Sequence, residues 1–145
     1  MSPAVPPAIW RLAQRVLVHE AARSSSAGSI DNLVQVCDKL RVPITKLAGP
    51  TGFRMVLTRA KALASTDEPW LDSVQVLPDG ALAIPEETKR DIESRKAAEQ
   101  GTGLVAQFLG LLVTFIGEPL TVQLVRQAWP DLGAEETDRD SGVQP

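Results

Sequence analysis

The sequence predicts a mainly α fold, a single-domain helical bundle of five or six helices carrying one small β-hairpin at about residues 74–84. Three observations lead there. The stretch GLVAQFLGLLVTFIG, Gly103 to Gly117, has only Gln107 and Thr114 as polar side chains and no charge. A helix that is apolar on every side has no solvent face, so it belongs in a core or in lipid. Around it, several stretches repeat apolar residues at the three-to-four spacing of amphipathic helices. Finally, VQVLPDGALAI sets strong turn chemistry between two β-favouring runs.

At about 1.5 Å per residue the 103–117 helix spans roughly 22 Å, short of the ~30 Å hydrocarbon core of a bilayer. It is therefore expected at the centre of the bundle, with burial of this segment in lipid as the weaker expectation. Ala106 and Gly110, four apart, would let a neighbouring helix come close.

The first helix runs from about Pro7 to Ala22, with Ile9, Leu12 and Val16 on one face and Arg11, Arg15 and His19 on another. SSSAGS, residues 24–29, is a break, with Ser29 or Asp31 placed to cap the next helix. Ile30, Leu33, Val34, Cys37 and Leu40 mark that second helix, ending near Arg41, because Pro43 disfavours helical geometry at Val42. After a turn, ITKLAGP, a third helix is expected from Thr51 to Ala64 with Phe53, Val56, Leu57, Ala60 and Leu63 inward. TDEPWLDS, residues 66–73, reads as a loop or one helical turn.

In the hairpin, Pro78-Asp79-Gly80 suits a type I turn followed by a left-handed glycine. That register pairs Val76 with Leu82 and Val74 with Ile84. PEETKRDIESRKAAEQ, residues 85–100, is a charged helix or connector, its early acids and later bases matched to a helix dipole. Gly117 ends the central helix, and Pro119 starts the last one from a position where proline needs no amide partner. Residues 1–130 thus form one helical domain. Residues 131–145, almost without apolar content, form a disordered acidic tail.

Composition agrees with a soluble globular class at 43% hydrophobic and 23% charged residues. Aromatic residues are only 4% and tyrosine is absent, so the core must be built from Leu, Val, Ile and Ala. Cys37 is the single cysteine, and no basic segment followed by an apolar run opens the chain; both suit a reducing cytoplasm. Charge is unevenly spread. Residues 1–65 hold nine bases and three acids, a formal +6, and residues 66–145 hold six bases and fifteen acids, a formal −9. The basic half is either a binding surface or is neutralised by the acidic half, within one fold or across a dimer.

No catalytic pattern stands out. A zinc site needs three or four convergent ligands, and the chain has one histidine and one cysteine. A nucleophilic triad would have to use His19 as its base, with no nucleophile on a strained turn beside it. Gly101-Thr-Gly103-Leu-Val-Ala106 matches a loose dinucleotide pattern but lacks the strand that must precede it. No cofactor and no metal are expected, and the chain reads as a non-enzyme. The leading expectation is a non-enzymatic interaction or regulatory module that self-associates, with Trp10, Trp70 and Trp129 as candidate interface anchors. A nucleic-acid-binding protein is the alternative, with Arg54, Thr58, Arg59 and Lys61 as candidate anion contacts. A cryptic membrane-active helix at 103–117 is the third.

Overall fold

The computed structural model describes residues 5–23, 31–94 and 101–130. The serine-rich break, the end of the charged segment (95–100) and the acidic tail lie outside those residues. The chain forms α1 (Pro7–Arg23), α2 (Asp31–Ala64), a short 3-10 helix (Pro69–Ser73), the strands β1 (Gln75–Val76) and β2 (Leu82–Ala83), α3 (Glu86–Ser94), α4 (Thr102–Ile116) and α5 (Glu118–Ala128). It is a mainly helical bundle with one small antiparallel hairpin, as its sequence predicts.

Helix α4 packs against α1, α2 and α5 and is the centre of the bundle. Leu104, Val105, Ala106, Phe108, Leu109 and Leu112 are buried, and the Phe108 ring meets Phe53 of α2 at 5.6 Å between centroids. The expectation of burial on all sides needs one correction. The last turn emerges from the bundle, leaving Thr114 exposed and Phe115 64% exposed. Gly117 closes α4, its N–H donating to the Val113 carbonyl at 2.9 Å, and Pro119 lies in the first turn of α5.

The main departure from expectation lies in α2. Instead of two helices parted at Val42-Pro43, one helix continues through Pro43 and breaks at Gly49, whose φ of 82° and ψ of 165° only glycine adopts readily. Pro43 forfeits a single backbone donor, whereas Leu40, Pro43 and Ile44 are all buried. Burial of those side chains outweighs the lost bond, and the proline is carried inside the helix. Gly49-Pro50 makes the real boundary, with glycine after one helical limb and proline opening the next.

The break is sharp. A Cβ built on Gly52 would lie 2.8 Å from the Ala48 Cβ, where an unbroken helix holds such atoms about 5–6 Å apart. Both ends of α2 also reach the start of α4. Leu33 packs within 3.0 Å of a Cβ built on Gly101, and Ala64 lies 3.8 Å from one built on Gly103. A straight helix of 34 residues would hold its ends roughly 50 Å apart, so α2 doubles back on itself at Gly49.

The hairpin has the expected register, Val76 opposite Leu82 and Gln75 opposite Ala83. The Gly80 N–H donates to the Leu77 carbonyl and the Leu77 N–H to the Ala81 carbonyl, both at 2.8 Å. Gly80 takes φ 91°, the left-handed position the turn requires, and its Cα faces the Phe53 ring too closely for a side chain. Val74 and Leu82 are buried beneath it. In α3 the buried apolar residue is Ile92, which ties a charged helix to the core.

Candidate functional site

Of the four candidate anion contacts, Arg54 is taken up by the fold itself. Arg54 donates from Nη1 to the Pro78 carbonyl at 3.1 Å, and Arg41 donates to the Asp79 carbonyl at the same distance while pairing with Asp38. The two arginines stand on the opposite limbs of α2 and together clasp the hairpin turn between them. The charge at Arg54 that its sequence position offers to a phosphate therefore holds the fold. Thr58 and Arg59 remain exposed on the second limb, and Lys61 is half-buried.

The three tryptophans also separate. Trp129 is the largest fully buried side chain at 0% exposure, so it anchors the core rather than a partner. Trp10 and Trp70 are half-buried and pack against the core from its edge. The Trp129 Nε1 donates to Glu20 Oε1 at 3.0 Å, and the same oxygen takes Lys39 Nζ at 2.8 Å. Glu20 is itself buried. This junction ties α5, α1 and α2, and sequence reasoning misses it. Its one local signal is that Glu20 follows Val16 by four residues, on the buried stripe of α1.

The start of α4, where the loose dinucleotide pattern falls, is filled by protein. Glu68 Oε2 accepts the Gly101 N–H at 3.1 Å, and Oε1 lies 2.8 Å from where a Cβ on Gly103 would sit. A carboxylate therefore occupies the positive end of the helix dipole that a pyrophosphate would need. Burial pushes the Glu68 carboxyl upward; the hydrogen bond from the Gly101 N–H opposes this, and the charge of Asp67 adds to the rise. Cys37 is buried, and desolvation, helped by Asp38, pushes its thiol to about 12. His19 is half-buried. Among the described residues no three His, Cys, Asp or Glu side chains are grouped as metal ligands. None of the described helices is long and apolar enough to cross a membrane.

What the fold does assemble is a surface at the bend of α2. From Lys39 to Thr66 the chain carries six cations and no acid. Lys39, Arg41 and Arg54 are engaged with Glu20, Asp38 and the hairpin carbonyls. Lys46, Leu47, Ala48, Pro50, Thr51 and Met55 stand exposed at and around the bend, with Arg59 one helical turn beyond Met55. Leu47 is 51% and Met55 66% exposed, and Val42, one turn before Lys46, is 56% exposed. The bend thus presents large apolar side chains flanked by cations, with no carboxylate of its own segment among them. Periodicity alone hides this surface, because its residues fall on two limbs that only the break at Gly49 brings to one end. No family model matches the chain, and no match is found among curated proteins or solved structures.

Proposed function

We propose that the protein is a non-enzymatic interaction module that self-associates through the bend of α2, a second copy covering Leu47 and Met55. The observation that carries this reading is that Leu47 and Met55, on the two limbs either side of the break at Gly49, are large, apolar and more than half exposed, within a segment whose charges are all positive. A single exposed apolar residue needs no explanation, but a group of them rimmed by like charges is the usual form of a docking face. The second half of the same chain, with its formal −9, supplies the opposite charge that such a face selects for. Two-fold pairing of identical chains is the commonest assembly of soluble proteins.

The nucleic-acid reading remains the alternative; it is less favoured because Arg54, one of its candidate contacts, donates to the Pro78 carbonyl of the hairpin. The test is static light scattering over a concentration series. The mass should rise from 15.6 kDa towards twice that value as concentration rises through the micromolar range. A mass of 15.6 kDa at every concentration, up to hundreds of micromolar, overturns the reading.

A further inference from the structure

The positive segment is followed at once by a negative one. From Asp67 to Glu87 the chain carries six acids and no cation, the inverse of the run from Lys39 to Thr66. Glu68 is turned to the start of α4, while Asp67, Asp72, Glu86 and Glu87 stand exposed. The Ser73 and Thr88 hydroxyls share a hydrogen bond of 2.9 Å, which brings Asp72, beside Ser73, and Glu87, beside Thr88, to one surface. Trp70, half-buried, falls between Asp67 and Asp72 in the chain. We propose that this acidic surface of a second copy is what covers the bend. The two chains pair about a two-fold axis, each bend lying on the Asp67, Trp70 and Asp72 surface of the other copy. The proposal rests on the reading of the bend as an association face and names the surface that the face takes.

The fold keeps the two surfaces apart within one molecule. The bend stands at the start of the second limb of α2, and Asp67 lies just beyond that limb's end. From Pro50 to Ala64 the limb rises about 21 Å, at roughly 1.5 Å per residue. The Debye length in physiological salt is about 8 Å, so Lys46, before the break, gains little from Asp67 and Asp72 of its own chain. A second copy laid antiparallel along the limb brings the opposite ends together, twice over. The outward residues that join the two ends, Thr51, Met55, Thr58 and Ala62, are exposed, uncharged and repeat at three- and four-residue spacing. A partner limb can lie along that stripe without burying a charge beneath it, with Arg59 at its side.

The two surfaces match in kind as well as in sign. Leu47 and Met55 are flanked by Lys46 and Arg59, and Trp70 is flanked by Asp67 and Asp72. Exposed ion pairs add little attraction, so the apolar contacts hold the dimer and the charges choose its orientation. Parallel pairing would set Lys46 and Arg59 against the same cations of the second copy, an arrangement that costs affinity. Antiparallel pairing also closes the assembly, because each copy uses both of its surfaces in one dimer and leaves no bend open to a third.

Charge reversal tests the pairing, with the whole chain followed by sedimentation velocity. One variant carries Lys46→Glu and Arg59→Glu, a second Asp67→Lys and Asp72→Lys, and a third all four substitutions. These positions are exposed, so each variant should keep the parent's melting temperature. Either reversed pair alone should weaken self-association about tenfold or more, because both halves of the symmetric contact then repel. An equimolar mixture of the two reversed chains should form a heterodimer of the parent's affinity, and the third variant should dimerise again on its own. A mixture that associates no better than its components overturns the proposal, as does parent-like association of the Asp67→Lys, Asp72→Lys chain. A variant carrying Leu47→Glu and Met55→Glu separates the two claims. If it is monomeric while reversal at Asp67 and Asp72 changes nothing, the bend stands as the association face and this partner surface falls. If it dimerises as the parent does, or if the parent is itself a monomer at hundreds of micromolar, the bend reading and the proposal fall together.

Discussion

Replacing Trp129 with phenylalanine tests the junction that fastens α5 to the rest of the bundle. The indole is 0% exposed and its Nε1 donates to Oε1 of the buried Glu20, a carboxylate that loses this donor when the indole is removed. A hydrogen bond to a charged group contributes about 1.5–3 kcal/mol, and leaving part of a buried carboxylate unsatisfied accounts for much of that. The smaller ring also leaves a void, for roughly 1 kcal/mol more. The sum is about 2–4 kcal/mol, which in a chain of this size lowers the melting temperature by roughly 6–15 °C. Urea unfolding followed by circular dichroism measures it without relying on the fluorescence of the tryptophan removed. Adding Glu20→Gln closes a double-mutant cycle, and the coupling should be on the order of 1 kcal/mol because the two groups touch. A loss below about 0.5 kcal/mol, the range of an ordinary surface change, would refute the placement of Trp129 in the core.

Two glycines should respond in opposite ways. Gly80→Ala meets the Phe53 ring at 2.9 Å from a φ of 91° and should cost about 2–4 kcal/mol, whereas Gly110→Ala finds only Val5 at 3.8 Å and should stabilise α4 by about 0.5–1 kcal/mol. Chemical denaturation of both variants checks the pair, and equal effects would contradict the packing described. Cys37, with its thiol pushed to about 12, should resist alkylation at pH 8 in the folded protein and react promptly in urea, so rapid labelling of native protein would count against its burial. Glu68 titrates above the usual carboxylate range, so at neutral pH its buried charge opposes folding, and that penalty is relieved as pH falls through its raised value. Glu68→Gln should therefore be at least as stable as the parent at pH 7, with its advantage shrinking towards pH 4.5 in urea titrations; a variant less stable at pH 7 than at pH 4.5, relative to the parent, would reverse the sign.

Local chemistry made part of this fold legible. The run from Leu104 to Ile116 has too little polarity to face water, and Pro78-Asp79-Gly80 has one comfortable conformation, so α4 and the hairpin register come from neighbouring residues alone. The division of α2 does not, because two prolines compete there and tertiary packing chooses between them. Pro43 costs one hydrogen bond and is buried with Ile44, while Gly49-Pro50 needs a backbone that helices do not provide. The candidate site was legible only in its ingredients. Arg54 lies on the outer face of its helix, as its spacing implies, yet the hairpin turn lands on that face and takes its guanidinium. Trp129 and Glu20 are 109 residues apart, and no local pattern announces that they meet. The bend surface joins two limbs that read as separate helices, so its apolar members pass in the sequence for scattered surface residues.

The most direct measurement of the central claim is sedimentation velocity of the unaltered chain beside the Leu47→Glu, Met55→Glu variant at the same micromolar concentrations. Both positions are exposed, so the variant should keep the parent's melting temperature to within about 0.5 kcal/mol of stability. The bend reading predicts that the parent sediments increasingly as a dimer while the folded variant stays a monomer of 15.6 kDa. A folded variant that dimerises as readily as the parent would contradict it.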